Sequence, residues 1–425
     1  MRILFLHNTF PSSNEDGSGR AYDFAKQLVD DGHDVTIVAA QYSYLTGNWI
    51  VAPGTWVAKE QHPAGFTVLR AWAARGYHGS YLKRAFSFAT YMLSSFWAAM
   101  RAPRPDVIVG CSPPITVAMI AGLVGRVRGI PFVFEIRDLW TQVAQELGIV
   151  KSKALIAVVR AWERSLLRQA RLVVVNSPGF IPHLTNDGIA AGKIRLIPNG
   201  VDTALFAPAA DRSAVRTALG FKDEFVVVYA GSLGLANDLG TVLETAERLR
   251  NEPDIRIVLV GDGNRRQWAM QEAETRGLTN LTFTGAVRKQ AVPDYLNAAD
   301  ACFCTLLDTP LFRTVYPNKV FDAMACARPV ILLVDGVMRE CVERARAGIF
   351  VKPGDADGFA AAVRRLRASP AEGDAMGQRG RALVVSEFDR WACARTMSET
   401  LQAVAQGTSS AARVSGGSAA PVTQR

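Results

Sequence analysis

Histidine and paired cysteine, the residues that metal sites need, are scarce in this sequence. It has five histidines without HExxH or HxxxH spacing, and six cysteines without a CxxC pair. Zinc sites need such ligands at close spacing, and small secreted folds need a regular cysteine framework. We therefore expect no bound metal, and cysteines that stay reduced, as they do in the cytoplasm.

No apolar run is long enough to anchor the chain in a membrane. Residues 85–100 carry no charge, but these sixteen residues include four Ser or Thr, whereas a spanning helix needs about 20. Residues 107–125 are interrupted by Pro113 and Pro114. The N-terminus lacks the apolar core and cleavage site of a signal peptide. We expect a cytoplasmic protein, which could sit peripherally on the inner face of the plasma membrane.

Two common nucleotide-binding motifs are also missing. No GxGxxG follows the first apolar run, and no GxxxxGK[ST] occurs anywhere. A nicotinamide-binding Rossmann domain and a P-loop NTPase are therefore disfavoured. We expect no cofactor, so that any nucleotide that binds is a substrate.

The sequence does have the length and apolar content for two large cores. It contains 425 residues, of which 49% are hydrophobic, and domains typically need about 100–200 residues each. Residues 1–200 hold 21 Lys and Arg against 13 Asp and Glu, which is most of the net charge of +9. This half favours anionic partners. Nucleic acid is disfavoured because the basic residues are dispersed and no binding motif occurs.

Apolar runs and helically spaced segments alternate along both halves, which predicts parallel sheets covered by helices. The alternation breaks at 198–210, where two prolines and Asn199-Gly200 predict a linker. We predict an α/β fold of two Rossmann-like domains that face each other across a cleft. The predicted segments are an N-terminal domain (1–197), the linker (198–210), a C-terminal domain (211–388), a helix that could cross back to the first domain (389–406) and a disordered tail (407–425).

Glycines fall where predicted strands end. Ligands of parallel sheets gather at the carboxyl ends of the strands, and a glycine there lets backbone N–H groups approach a phosphate. The alternative is that these glycines end strands for steric reasons only. The glycines in question are Gly17, Gly19, Gly231, Gly261, Gly263 and Gly285.

The block 315–330 (VYPNKVFDAMACARPV) places an unusual cation at a helix start. Pro317 and Asn318 precede Lys319, which falls in the first turn, and Asp322 follows three residues later. Lysine is disfavoured near a helix N-terminus, so a bound anion would explain it, and Asp322 could accept hydrogen bonds from sugar hydroxyls. The alternative is a Lys319–Asp322 pair on a solvated face.

Four segments together resemble the retaining glycosyltransferases of family 4, which have the GT-B fold. They are PNGVD-xxx-F-xP at 198–208, YAGS at 229–232, VGDG at 260–263 and KxFDAMACARPV at 319–330. The sequence looks most similar to the amino-sugar transferase branch (WbuB-like, fucosamine transferase). The cues for that branch are GSLGLANDLGTVLE at 231–244, EIRDLW at 135–140 and PNK at 317–319.

The resemblance implies transfer of a sugar, expected to be an N-acetylated amino sugar, from a UDP-sugar donor. The acceptor would be a saccharide or a polyprenyl-linked molecule in cell-surface polysaccharide biosynthesis. By the same resemblance, the N-terminal domain (1–197) binds the acceptor and the C-terminal domain (211–388) binds the nucleotide sugar. The resemblance further implies retention of configuration without a metal, with the leaving phosphate taking the acceptor proton.

The sequence departs from the family pattern at four positions. The usual Glu-x7-Glu pair falls at Thr314 and Asp322, and the usual Arg and Lys fall near Ser232 and Asn237. The resemblance therefore leaves Lys319 as the first candidate for the donor diphosphate and Arg265 as the second. It places Asp322 at the ribose and Val287 beside the base. The remaining donor-binding candidates are Gly17, Gly19, Gly231, Ser232, Gly261, Gly263, Pro317 and Asn318.

Arg137 and Asp138 join Lys319 as candidate catalytic residues, because they lie at a strand end where many relatives place a histidine. Arg137 could pair with phosphate and Asp138 could orient the acceptor, or the two could form only an ion pair and a helix cap. Arg20 could assist the donor loop or be the exposed first turn of its helix. His7 and His33 are expected to be structural.

Two further patterns have alternative interpretations. Asp355 and Asp357 form a DxD, but they follow Pro353-Gly354 and precede a helical pattern, so we predict an N-cap and no metal site. The aromatic helix 81–101, bracketed by Lys83, Arg84, Arg101 and Arg104, could lie on an anionic membrane surface or be an ordinary core helix.

Two other functions stay open from the sequence. A nucleotide-sugar epimerase could have the same two-domain fold, although no histidine follows His183 to support acid–base chemistry. A non-catalytic nucleotide-sugar binder would account for Thr314 in place of the first carboxylate.

Overall fold

The computed structural model describes residues 1–11, 19–43, 48–51, 54–74, 81–139, 141–142, 145 and 152–407. The N-terminal half of this part forms an eight-stranded sheet in the order β3-β4-β2-β1-β5-β6-β7-β8. Every pairing is parallel except that of β3 with β4. The strands are β1 Arg2–Leu6, β2 Asp34–Ala40, β3 Val57–Gln61, β4 Thr67–Ala71, β5 Val107–Ser112, β6 Phe132–Ile136, β7 Leu172–Val175 and β8 Ile194–Leu196.

Helices cover both faces of this sheet, which is why its central strands are continuous apolar runs. All six residues of β5 and all five of β6 are buried. The helices of this half are α1 Arg20–Asp30, α2 Tyr81–Arg101, α3 Ile115–Arg128, α4 Lys153–Gln169 and α5 Phe180–Asn186.

The second half repeats the architecture with a six-stranded, wholly parallel sheet in the order β11-β10-β9-β12-β13-β14. The predicted fold class, two parallel-sheet α/β domains, is confirmed. The strands are β9 Phe225–Ala230, β10 Ile255–Val260, β11 Leu281–Gly285, β12 Ala301–Thr305, β13 Val330–Leu333 and β14 Gly348–Phe350. The helices are α6 Arg212–Ala218, α7 Leu239–Arg248, α8 Arg266–Thr275, α9 Val292–Ala298, α10 Asn318–Ala325, α11 Val337–Ala345, α12 Ala356–Ala368, α13 Pro370–Glu387 and α14 Arg390–Ala405.

The last helix, α14, packs on the first domain rather than on the second. Its buried side chains Cys393, Met397 and Leu401 belong to the same core cluster as Phe24 and Leu28 of α1. Each large apolar side chain buried in this way contributes about 1.5–3 kcal/mol. The chain therefore returns to the N-terminal domain after completing the second sheet.

The segment 198–210 is packed against its surroundings. Val201 and Phe206 are buried in the core of the second domain. Gly200 has a φ of +67°, and a Cβ there would lie 2.8 Å from Arg390 Cα, so only glycine fits. Val201 also forms a bridge with Asp389. The segment between the domains is thus fastened to the start of α14. The predicted tail, apart from Gly407, lies outside the described residues.

Candidate functional site

The loops after β9 and β10 meet at the carboxyl edge of the second sheet. The Gly231 N–H donates to the Val260 carbonyl at 2.9 Å. A Cβ on Gly261 would overlap the Gly231 carbonyl oxygen, and a Cβ on Gly263 would overlap the Leu233 backbone. These glycines are therefore needed for the close approach of two backbones.

Lys319, at the start of α10, extends to this edge. Its Nζ donates to the Tyr229 hydroxyl at 2.5 Å and to Asn237 Oδ1 at 2.9 Å. A Cβ on Gly231 would lie 3.3 Å from the same Nζ. Burial is the main cause that lowers the pKa of Lys319. Within the described part of the chain it forms no ion pair with a carboxylate, so its charge can meet an external anion.

Asp322, one turn further along α10, is half-buried. Burial raises the pKa of its carboxyl group to about 6, although the charges of Arg390, Lys289 and Lys319 act in the opposite direction. The alternative of a solvated Lys319–Asp322 ion pair is wrong, since no such pair forms among the described residues. The carboxylate oxygens are therefore available as hydrogen-bond acceptors.

The residues that precede Lys319 contact the first domain. Asn318 Oδ1 accepts a hydrogen bond from Asn199 Nδ2 at 3.0 Å. The Thr314 carbonyl accepts from Ser177 Oγ at 2.5 Å. Pro317 occupies the N-cap position of α10. The position where the resemblance expects a carboxylate is thus occupied by a residue that joins the two domains.

Two neighbouring arginines follow the VGDG turn and point to different places. The Arg265 guanidinium lies 3.9 Å from the centroid of the Trp268 ring. Arg266 Nη2 would lie 3.5 Å from a Cβ on Gly285, and its Nε is buried without a partner. Arg266, which the sequence pattern did not single out, therefore reaches the strand end that precedes Val287. The sequence does not indicate which of two adjacent arginines faces the site. Only a three-dimensional contact distinguishes Arg266 from Arg265.

Two other donor-binding candidates, Ser232 and Gly19, lie in open surroundings. Ser232 is exposed, and its carbonyl accepts a hydrogen bond from the Tyr229 hydroxyl at 2.7 Å. Gly19 is the N-cap residue of α1, and a Cβ on it would meet no atom within 4 Å. Gly17 lies outside the described residues.

Arg137 and Asp138 follow β6 at the carboxyl edge of the first sheet. Arg137 Nη1 lies 3.0 Å from His7 Nε2. Burial and the charge of Arg137 lower the pKa of His7 to about 4, so the ring is neutral at pH 7. Asp138 is exposed, and the described residues contain no Arg137–Asp138 ion pair. The ion pair of the alternative interpretation is therefore wrong, while its helix cap stays a prediction.

The interpretation of Arg20 as an exposed first turn of its helix is wrong, and its assistance to the donor loop stays a prediction. The side chain is buried, and its Nε donates to Glu135 Oε1 at 2.6 Å while Nη1 donates to the Pro198 carbonyl. Burial raises the pKa of Glu135, but Arg20 and Arg137 outweigh it and hold that pKa below its usual value. Arg20 therefore ties α1 to β6 and to the interdomain segment.

The DxD sequence caps a helix, as predicted. Asp355 Oδ1 accepts a hydrogen bond from the Gly358 N–H at 2.8 Å, at the N-terminus of α12. Asp357 pairs with Arg248 on the surface. Among the described residues, no three His, Cys, Asp or Glu side chains lie close enough together to hold a metal ion.

Two parallel-sheet α/β domains are the architecture of the GT-B glycosyltransferases. Sucrose-phosphate synthase from Thermosynechococcus elongatus superposes with a TM-score of 0.73 at 22% identity, covering 96% of this chain and 100% of that one. Anabaena HepE, solved with UDP and glucose, gives 0.72 at 20% identity over 95% and 99% of the chains. These likenesses establish the fold.

Sequence comparison identifies the family. The model for glycosyl transferases of group 1 matches residues 224–369, and the model for the glycosyl transferase 4-like domain matches residues 17–200. WcaI of Escherichia coli K12, assigned to colanic acid biosynthesis, is 26% identical over 82% of this chain and 88% of its own length. A Mycobacterium tuberculosis glycogen synthase is 24% identical over 96% of both. The chain belongs to the group 1 glycosyltransferases with a 4-like N-terminal domain.

Proposed function

We propose that this glycosyltransferase moves a sugar from a UDP-sugar to a saccharide or polyprenyl-linked acceptor, with retention, in cell-surface polysaccharide biosynthesis. The observation that carries the proposal is the Lys319 ammonium, which lies beside the bare backbone at Gly231 without a carboxylate partner among the described residues. HepE, of the same fold, has been solved with UDP-glucose, and WcaI is assigned to a surface polysaccharide.

In this proposal the donor lies along the carboxyl edge of the second sheet. Its diphosphate meets the Lys319 ammonium beside Gly231. Asp322 accepts hydrogen bonds from the ribose, and the base lies near Val287 and Arg266. A guanidinium suits the base position because it can stack on a flat ring.

The chemistry requires stabilisation of the leaving diphosphate. The bond from the anomeric carbon to the diphosphate oxygen breaks while the bond to the acceptor oxygen forms on the same face. A diphosphate oxygen takes the acceptor proton, so that no metal and no protein base are needed. A preorganised ammonium in a partly dry site stabilises the negative charge that develops on the leaving group.

The acceptor would lie against the first domain, near Arg137 and Asp138. Arg137 is held in place by His7 and by a hydrogen bond from Asn176 Nδ2 to its carbonyl at 3.0 Å. Asp138, exposed at the same strand end, could orient the acceptor hydroxyl. The EIRDLW and PNK cues support an N-acetylated amino sugar as the transferred group, as in the WbuB-like branch.

A lipid-linked acceptor is supported by an apolar surface on the first domain. Helix α2 packs on α3, and α3 packs on α4. Their exposed large side chains include Phe86, Leu93 and Trp97 of α2, at 60%, 67% and 45% exposure. The Arg101 guanidinium stacks 3.7 Å over Trp97. The remaining exposed members are Leu123 and Val127 of α3 and Leu155, Val158 and Trp162 of α4.

We propose that this apolar surface rests peripherally on an anionic membrane. Apolar side chains bordered by cations suit such a surface, and none of the described helices is both long and apolar enough to cross a bilayer. Exchanging Phe86, Leu93 and Trp97 together for serine should weaken binding to phosphatidylglycerol vesicles. Binding equal to that of the parent would show that the surface has another role.

Incubation with a panel of labelled nucleotide sugars and acceptor extracts tests the activity. Transfer of the labelled sugar, or its slow release to water, supports the proposal. An isomerised nucleotide sugar would instead indicate an epimerase. Saturable binding without turnover would indicate a non-catalytic binder, for which Thr314 in place of the usual carboxylate is the motivating feature.

A further inference from the structure

A cavity of about 1030 Å³ lies at the edge of the first sheet that is opposite to the candidate site. It opens where β6, β7 and β8 begin, at Phe132, Leu172 and Arg195, and α14 forms one wall through Thr400 and Val404. Strand β6 has five residues, and at about 3.3 Å per residue the two edges are on the order of 15 Å apart. The cavity is therefore separate from the proposed donor site.

Among the described residues, the lining of this cavity contains five basic side chains and no Asp or Glu. The five are Arg126, Arg168, Arg171, Lys193 and Arg195. Within the same part of the chain, the first four form no ion pair with a carboxylate. Like charges that line one cavity repel one another, which favours an anion in the space between them.

Helix ends account for only part of this charge. Arg126 and Arg168 lie in the last turns of α3 and α4, where a cation is favoured by the helix dipole. Arg171, Lys193 and Arg195 lie outside these helices, near the starts of β7 and β8. Lys193 Nζ donates to the Arg168 carbonyl at 2.8 Å, and burial together with Arg171 lowers the pKa of this amine.

A neutral group and several apolar side chains complete the surroundings of these cations. Arg171 Nη2 donates to the neutral Gly407 carbonyl at 3.2 Å. Ile130, Phe132 and Leu172 add an apolar part to the lining, so the cavity suits a ligand that joins phosphate to a less polar moiety.

We propose that this cavity binds a phosphate or pyrophosphate group, carried by a soluble metabolite or by a lipid headgroup. The proposal does not depend on the proposed transfer reaction, because it uses none of the residues of the candidate site. The side chains of Arg126 and Arg168 form no hydrogen bond with another residue of the described part, so they can be changed with little effect on folding.

Calorimetric titration with inorganic pyrophosphate tests the proposal. All proteins carry Lys319→Met, so that the donor edge contributes little. Arg126→Gln/Arg168→Gln is compared with the charge-matched control Arg250→Gln/Arg395→Gln, two exposed arginines away from the cavity. The cavity variant should bind pyrophosphate at least about tenfold more weakly, since it loses two charge-assisted contacts. Equal affinities of the two variants, or no saturable binding by the parent, would overturn the proposal.

Vesicles distinguish the two sources of phosphate. The same proteins are sedimented with vesicles of equal parts phosphatidylcholine and phosphatidylglycerol. If the ligand is a lipid headgroup, the cavity variant also loses vesicle binding relative to its control. If it is a soluble metabolite, vesicle binding matches the control while pyrophosphate binding still falls. A cavity variant that equals its control in both measurements contradicts either source.

Discussion

Lys319 Nζ lies 2.9 Å from Asn237 Oδ1, although the two residues are 82 positions apart in the chain. Asn237 occupies the position near which the family resemblance expects a lysine. The ammonium is thus present at the expected place but comes from α10 instead of from the loop before α7. In the proposed function, this ammonium takes the place of the usual basic pair at the diphosphate.

The contact between Lys319 and Asn237 predicts that a lysine at either position can supply the ammonium. Lys319→Met should reduce transfer activity, and the double variant Asn237→Lys/Lys319→Met should recover part of it, because its ammonium can occupy the same space. Initial rates with a saturating acceptor measure both. Asn237→Met/Lys319→Met, which supplies no ammonium, is the control. The prediction would be contradicted if the control recovered transfer activity, or if Asn237→Lys/Lys319→Met recovered none.

Asp322 predicts a pH dependence of donor binding. Its pKa is raised to about 6, so the carboxylate that we propose as the acceptor for the ribose hydroxyls becomes protonated as the pH falls from 7 to 5. At pH 5 roughly nine-tenths of it is protonated, and affinity for a UDP-sugar should drop about tenfold. Asp322→Asn should bind more weakly at pH 7 and lose this dependence. Both proteins are titrated with the same ligand, so identical pH profiles would show that Asp322 does not contact the donor.

The two adjacent arginines after β10 allow a matched comparison. Arg266→Gln should weaken binding of uridine, since the guanidinium that reaches Gly285 would stack on the base. Arg265→Gln should change it little, because that guanidinium stacks on Trp268. Equilibrium binding of labelled uridine measures both. A larger effect at Arg265 would place the base on the other side of the turn.

The buried Arg20–Glu135 pair predicts a large effect on stability. Arg20→Met leaves Glu135 charged and unpaired, which should lower the free energy of unfolding by about 3–5 kcal/mol. Lys26→Met removes an exposed pair with Asp30 and should cost under about 1 kcal/mol. Urea denaturation measures both, and Arg20→Met/Glu135→Gln should recover part of the loss. Equal effects of the two single changes would mean that the pair is not buried in solution.

The fold class could be predicted because buried parallel strands are continuous apolar runs, and this signal is local. Strand β3 lacks this signal because it is an edge strand with Lys59 and Glu60 in its middle. Helix α13 is hard to predict because it contains three glycines. One of them, Gly377, lies where a Cβ would overlap the Ala327 carbonyl, so close packing, invisible in the sequence, explains its presence.

The candidate site was predicted less completely because its contacts are distant in sequence. Lys319 could be found because a cation in the first turn of a helix is locally unfavourable. Its partner Tyr229, 90 residues away, has no such signal. The burial of Arg20 depends on Glu135, 115 residues further on. Arg266 cannot be distinguished from the predicted candidate Arg265 until the position of the neighbouring strand β11 is known.

The affinity of Lys319→Met for UDP, measured by calorimetry against the parent protein, tests the central claim most directly. A charge-assisted hydrogen bond to phosphate contributes about 2 kcal/mol, so the dissociation constant should rise about 30-fold. Lys289→Met removes another cation whose charge acts on Asp322, and it should have a smaller effect on the affinity for UDP. An unchanged dissociation constant for Lys319→Met would show that the diphosphate does not meet this ammonium.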